Sequence, residues 1–283
     1  MILALQNKLE DSLLEIFASH KNMSVKQITL LLKKMGKSST EQGIYRVLRK
    51  LQKDGIIVKL KNQYNIRIPW LLEVSALMEK MEYTYLAGEY FHELVPKGKE
   101  KYVWKFSNIF KMCNFWSELL IAVAKNTKSK NKTALNYSPH LWYVLIQKEQ
   151  ENQFINSYLS EIEKSYMIIG SRSPLDKHSL TLFAPQNPKE QRYLASEQEY
   201  IEKKRSTYID VIDDYIIHTS FDKVTTNAIE KFYQENTLEQ LGDGPAFHHI
   251  WMRRIKGKIT VQKNKAKART YSKKFQKIFG PLS

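Results

Sequence analysis

The amino-acid sequence predicts an α+β fold: a small helical head closed by a β-hairpin, a connecting helix, and a larger α/β domain with a mixed or partly parallel sheet. Three observations carry that reading. Up to residue 55 apolar side chains recur at steps of three and four. From residue 56 to 68 the period drops to two. Beyond residue 100, short apolar runs alternate with amphipathic stretches, the pattern of a sheet crossed by helices. A length of 283 residues leaves room for roughly two domains. With 42% apolar and 12% aromatic residues, each has material for a packed core. The expected boundaries are 1–69 for the head, 70–90 for the connecting helix, 91–250 for the α/β domain and 251–283 for a basic tail.

The head is read residue by residue. Leu5, Leu9, Leu13, Ile16 and Phe17 form the stripe of a first helix. Ser24 with Gln27 three positions on makes a capping box ahead of Ile28, Leu31 and Leu32, and Gly36 ends this second helix. A third runs from about Thr40 to Asp54 with Ile44, Val47, Leu48 and Leu51 inward and Gly55 as its stop. At 100° per residue its opposite side carries Ser39, Gln42, Arg46, Arg49 and Lys53. Those side chains are donors suited to base edges and phosphates. The alternating residues Ile56 to Leu60 and Tyr64 to Ile68 then read as two strands around the polar tip Lys61-Asn62-Gln63.

Three helices and a hairpin, carried by the segment Val47 to Ile66, resemble the winged helix-turn-helix domain of transcription regulators. The resemblance covers about 70 residues and implies that the third helix enters the major groove of DNA while the hairpin touches the backbone or minor groove. Arg46 and Arg49 are then the main candidates for base or phosphate contact, with Ser39, Gln42, Lys50, Lys53, Lys61 and Asn62 in support. An exposed basic helix can also be merely solvated, and winged helices also bind proteins.

After Pro69, Leu71, Val74, Met78, Met81 and Tyr85 step by three and four like a heptad seam. Such a stripe either pairs with its twin or packs on the chain's own body. A pair would double the length of DNA read.

In the larger domain, Tyr102 to Phe106 alternate as a strand, and Ile109 to Val123 form a helical stripe that buries Cys113 as a core thiol. Residues 141–146 read as a strand buried on both faces, 154–162 as a helix, and 166–170 and 179–183 as further strands. Residues 189–219 and 223–235 read as helices. Strand, helix, strand implies a crossover and a partly parallel sheet. The loop Gly170-Ser171-Arg172-Ser173-Pro174 follows a strand where α/β sheets commonly bind ligands, so it either holds an anion or is an ordinary turn.

Catalytic motifs are scarce. The chain has no glycine-rich phosphate loop, no Gly-x-Gly-x-x-Gly, no His-Glu-x-x-His, no nucleophile elbow and no His-x-Lys pair. Asp243, His248 and His249 near a turn, and Asp210, Asp213 and Asp214 at helical spacing, are the only groupings that approach chemistry, and no enzyme activity, metal or cofactor is expected. A single cysteine excludes an intramolecular disulfide and a cysteine-based zinc cage, in keeping with a reducing cytoplasm. The start lacks signal-peptide organisation, and Leu119 to Ala124 is far shorter than the ~20 residues of a membrane helix, so no membrane is expected.

The formal net charge of +16 is uneven. Residues 1–70 carry a net +8, residues 71–250 a net −3, and residues 251–283 a net +11 with no acidic side chain. Two basic ends point to a polyanion, and nucleic-acid phosphate is the simplest one. The tail either stays solvated or docks through Tyr271, Phe275, Ile278 and Phe279, and its polyanion could equally be RNA.

The order of parts is similar to that of TrmB-type regulators, which join a winged helix through a helical connector to a phospholipase-D-like sensor domain. That resemblance implies a double-stranded DNA-binding transcription regulator, expected to be a homodimer, with a small-molecule or protein effector. The other reading of the same residues is an antitoxin or defence-associated adaptor that grips a protein partner and represses its own operon. A nucleic-acid-modifying enzyme acting through Asp243 or His248 is a third.

Overall fold

The structure is a computed structural model that describes residues 9–86, 93–129, 132–146, 148–182, 189–196, 199, 201–235 and 254–282. They fall into two compact units, residues 1–87 and 88–283.

In the first unit, helices α1 (Leu9–Ser19), α2 (Val25–Lys34) and α3 (Glu41–Lys53) lie where the periodicity places them. Leu13, Ile16, Phe17, Ile28, Leu32, Ile44, Leu48 and Leu51 form one core with Ile57 and Tyr64 of the hairpin. The capping box at Ser24 and Gln27 is present, and Thr40 caps α3 by accepting from the Gly43 amide at 3.1 Å. Gly36 and Gly55 take the left-handed conformation that lets the chain leave α2 and α3 without a Cβ clash (φ 70° and 71°). Strands β1 (Ile57–Leu60) and β2 (Gln63–Ile66) pair antiparallel with Leu60 opposite Gln63, so the turn is the two residues Lys61 and Asn62. Gln63, expected in the tip, is the first residue of β2. A backbone bridge between Met23 and Tyr64 ties the hairpin to the segment between α1 and α2.

Helix α4 (Ile68–Leu86) starts inside the stretch expected to be strand. Pro69 falls in its first turn, where the missing amide costs no hydrogen bond. Leu71, Leu72, Leu77, Met81 and Tyr85 are all exposed, while Val74 and Met78 are half-buried. The exposed apolar surface is therefore wider than the heptad seam alone.

The second unit is a mixed sheet of seven strands: β3 (Lys101–Phe106), β4 (Thr133–Ser138), β5 (Lys164–Ile169), β6 (Glu190–Leu194), β7 (Thr207–Ile212), β8 (Tyr215–Phe221) and β9 (Gly257–Lys263). Their order is β3-β9-β8-β7-β4-β5-β6. Pairs β4/β5 and β5/β6 are parallel and the rest antiparallel. This is the α+β class and the mixed sheet expected. Helices α5 (Ile109–Asn126), α6 (Trp142–Ile146), α7 (Lys148–Glu161), α8 (Pro174–Leu182), α9 (Lys223–Glu235) and α10 (Lys265–Phe279) complete the described part. One core gathers α5, α6, α7 and α9 side chains with Tyr208, Ile217, Ile259 and Val261. The other joins Leu135, Ile168, Ile209 and Ile216 to Tyr271 and Phe275 of α10. Cys113 lies in the first core, and burial pushes its thiol well above the ordinary range. Gly257 opens β9 directly against Met112 of α5, where a Cβ would collide with the sulfur.

Four stretches of the second unit differ from expectation. Residues 142–146 are helix α6, and the strand in that region is β4, whose Asn136 and Ser138 break any apolar run. An apolar run of six residues has no diagnostic period, and here Asp176 decides it by accepting from the Leu141 amide at 2.9 Å at the start of α6. Residues 174–182 are helix α8, opened by Ser173, whose hydroxyl accepts from the Asp176 amide at 3.0 Å. Residues 190–194, 207–212 and 215–221 are strands where helix was expected, and Asp213 (φ 50°) turns the chain between β7 and β8. The stretch read as a tail contributes β9, between β3 and β8, and α10, which covers part of the sheet.

Candidate nucleic-acid interface

Helix α3 is built to present one side. Ile44, Leu48 and Leu51 are 0–2% exposed and anchor it, which leaves Gln42, Arg46, Arg49 and Lys53 within about 60° of one another on the outside. All four are exposed. Gln42, Arg46 and Lys53 have no hydrogen-bond or ion-pair partner among the described residues. Arg49 donates from Nε to the Tyr45 carbonyl of its own helix at 3.4 Å, which leaves the rest of its guanidinium fork outward. The helix's carboxylates, Glu41 and the C-cap Asp54, lie off this side.

Other predicted residues are placed differently. Ser39 is half-buried in the turn before α3, its hydroxyl reaching the Thr40 carbonyl at 3.4 Å. Lys50 is turned away and paired with Glu10 of α1 at 2.8 Å, and that contact holds its ammonium above the ordinary lysine value. Lys61 and Asn62 form the exposed hairpin tip, Lys61 in a left-handed backbone (φ 55°). Lys59, one strand position in, lies over the Tyr64 ring with its nitrogen 5.6 Å from the centroid. Tyr45, 40% exposed beside the basic side of α3, was not singled out from sequence. A tyrosine between helix positions reads as core until the neighbouring packing is known.

In the second unit a cleft of about 580 Å³ opens at the carboxyl ends of β4, β5 and β6. His140 lies at its floor, 3% exposed, with Nδ1 2.7 Å from Asp176 Oδ2 and Nε2 2.7 Å from Arg205 Nη2. Nε2 also lies 3.2 Å from Glu230 Oε1, and against the desolvation of burial the hydrogen bonds to Asp176 and Glu230 hold the imidazole above its ordinary value. Arg205 Nε also donates to Glu230 at 3.0 Å. The loop Gly170 to Pro174 borders this cleft, but its groups are committed: Arg172 to the Leu194 carbonyl (2.9 Å) and Glu199 (3.5 Å), Ser173 to Asp176 (2.8 Å). It is the ordinary turn rather than a ready anion cradle.

Asp210, Asp213 and Asp214 do not converge. Asp210 is buried on β7, accepting from Trp116 (2.7 Å) and Asn136 (2.8 Å), and burial lifts its pKa to about 6. Asp213 and Asp214 form the β7/β8 turn. Nearby Glu151 is pushed up to about 7 by burial. Among the described residues no three His, Cys, Asp or Glu side chains are grouped to hold a metal. No described helix is long and apolar enough to cross a membrane. Asp243, His248 and His249 lie outside the described residues.

No family model matches this chain, and no curated protein matches it. Among solved structures it is similar to one described as TrmBL2, an archaeal chromatin protein that shows a novel mode of DNA binding. The two are 13% identical, the match covers 95% of this chain and 91% of that chain, and the TM-score is 0.35. At that TM-score the likeness does not establish a shared fold.

Proposed function

We propose that the chain is a double-stranded DNA-binding regulator whose α3 lies in the major groove with the β1/β2 tip on the backbone. One observation carries the reading: the outward side of α3 holds two guanidiniums, an ammonium and an amide, exposed and free of carboxylate partners. Arginine forks there suit guanine edges or phosphates, and Gln42 suits an adenine edge. Lys61 and Asn62 at the tip reach backbone, while Lys50, held by Glu10, adds charge rather than a directed contact. The exposed apolar surface of α4 supports pairing with a second copy, since Leu71, Leu72, Leu77, Met81 and Tyr85 leave too much apolar area in water for an isolated helix. The cleft at the ends of β4 to β6 is the natural place for an effector.

Sedimentation of the full chain, alone and with a duplex, tests both parts as salt is raised. Alone, the mass of two chains is expected. With DNA, log affinity should fall linearly with log salt at about −0.9 per phosphate contacted. A monomer would remove the α4 pairing, and no duplex complex even at low salt would remove the DNA reading.

A further inference from the structure

The second unit carries a basic surface of its own. Successive residues of a strand alternate faces, so Lys101, Val103 and Lys105 stand on one side of β3 while Tyr102, Trp104 and Phe106 pack into the core on the other. The register continues that outer side across the sheet: Lys101 is opposite Gln262, Val103 opposite Thr260 and Lys105 opposite Lys258, then Thr260 opposite His218 and Lys258 opposite Ser220. Helix α10 covers the neighbouring part of this face, over Leu135, Ile168 and Ile209. A hollow of about 340 Å³ lies over the uncovered part, with Lys101, Lys204, Lys258 and Lys267 around it and His218, Ser220 and Thr260 in its floor.

The charge there is unbalanced. Among the described residues, four ammonium groups and a histidine line the hollow, and no carboxylate does. Glu202 is the acidic group that acts on Lys267, without lining the hollow. Lys105 and Lys258 are direct cross-strand neighbours, an arrangement of like charges that costs stability unless something anionic covers it. The imidazole of His218 registers the same field: partial burial first, then Lys267, Lys101 and Lys258, push it down to about 4.

We propose that this open face of β3, β9 and β8 is a second DNA contact that holds the phosphodiester backbone of a duplex through Lys101, Lys105, Lys204, Lys258 and Lys267. Lys101 and Lys105 are four residues apart on a strand, about 13 Å, which spreads the cations over more than one phosphate. The hydroxyls of Ser220 and Thr260 and the amide of Gln262 supply neutral donors of the kind that commonly meet phosphate oxygens. Among the described residues of this face there is no exposed aromatic ring on which an unpaired base could stack, so a duplex backbone fits it better than a single strand. The assignment rests on this surface and not on α3.

The test is duplex-DNA binding by the full chain with Lys101→Gln, Lys258→Gln and Lys267→Gln combined, followed by anisotropy over a salt series. Affinity is expected to fall at least tenfold at about 100 mM salt, and the slope of log affinity against log salt to become shallower by about 2–3, three contacts at 0.9 each. The same positions changed to arginine should keep both values. A second variant, Lys105→Gln with Lys204→Gln, should act in the same direction. Repeating the glutamine changes on top of Arg46→Ala and Arg49→Ala separates the two surfaces: residual binding should fall again. Unchanged affinity and slope in variants that melt like the parent overturn the proposal. So does a loss confined to single-stranded RNA, or to tripolyphosphate, with duplex binding intact.

Discussion

Replacing Arg46 or Arg49 by alanine is expected to weaken duplex binding by about 1–3 kcal/mol for each arginine that touches a base edge, and replacing both by more than either alone but less than the sum. The two side chains are three residues apart on one helix, so their losses should not simply add. Both are exposed, and neither supports the core made by Ile44, Leu48 and Leu51, so the unfolding free energy should stay within the scatter of surface substitutions, roughly ±0.5 kcal/mol. Arg46→Lys separates the roles. An ammonium still meets a phosphate but loses the two-point contact to guanine, so sequence preference should relax more than affinity. Binding isotherms on specific and random duplexes check this, and wild-type affinity in the double variant would take α3 out of the interface.

The second large effect is on stability. Asp176 is fully buried, and its carboxylate accepts from the Leu141 amide, His140 Nδ1 and the Ser173 hydroxyl at 2.7–2.9 Å. Three elements therefore meet on one side chain: the start of α6, the start of α8 and the floor of the cleft. Asp176→Ala leaves the Leu141 amide and the imidazole without that acceptor, each at about 1–3 kcal/mol, and opens a cavity as well. The expected destabilisation of the second unit is about 3–5 kcal/mol. Asp176→Asn keeps an acceptor for the Leu141 amide and should cost much less. Urea unfolding followed by tryptophan fluorescence in a Trp70→Phe background reports on this unit, whose described residues include Trp104, Trp116 and Trp142. A loss below about 1 kcal/mol for Asp176→Ala would mean that the buried network contributes little.

The first unit was largely legible in the sequence because each of its elements is amphipathic and carries its own punctuation. Ser24 with Gln27 opens α2, Gly36 and Gly55 close α2 and α3, and the alternation from Ile56 marks the hairpin. The second unit is legible where periodicity survives, in β3, α5 and α9, and in the short apolar run of β5, which is a strand as expected. Elsewhere burial on both sides of an element removes the period that separates strand from helix. Trp142 to Ile146 is apolar all round, so nothing in its period separates helix from strand, and the deciding group, Asp176, lies 35 positions away in the chain. The run from Thr207 to Phe221 hides two strands because Asp213-Asp214 is an unusual turn, with a left-handed aspartate where glycine or asparagine is the common signal. Ser173-Pro174-Leu175-Asp176 carries a helix-start signal that the Gly, Ser and Pro of the preceding loop conceal in sequence.

The candidate interface followed the same rule. Gln42, Arg46, Arg49 and Lys53 emerge from helical geometry alone, since the inward residues of α3 fix where the outward ones point. The Lys50 pairing with Glu10 could not be read from sequence, because it depends on how α1 packs across α3. The basic face of β3, β9 and β8 was equally hidden: its lysines come from residues 101–105, 204 and 258–267, and only the sheet order brings them together.

The central claim is that the outward side of α3 enters the groove, and a cleavage probe placed on that side tests it most directly. Cys113 is 4% exposed, so a cysteine introduced as Gln42→Cys can be labelled selectively with an iron chelate. When the labelled chain is bound to a specific duplex, strand scission should cluster within a few base pairs of one position in each half-site. A complex that forms with undiminished affinity and shows no scission from residue 42 would contradict the account.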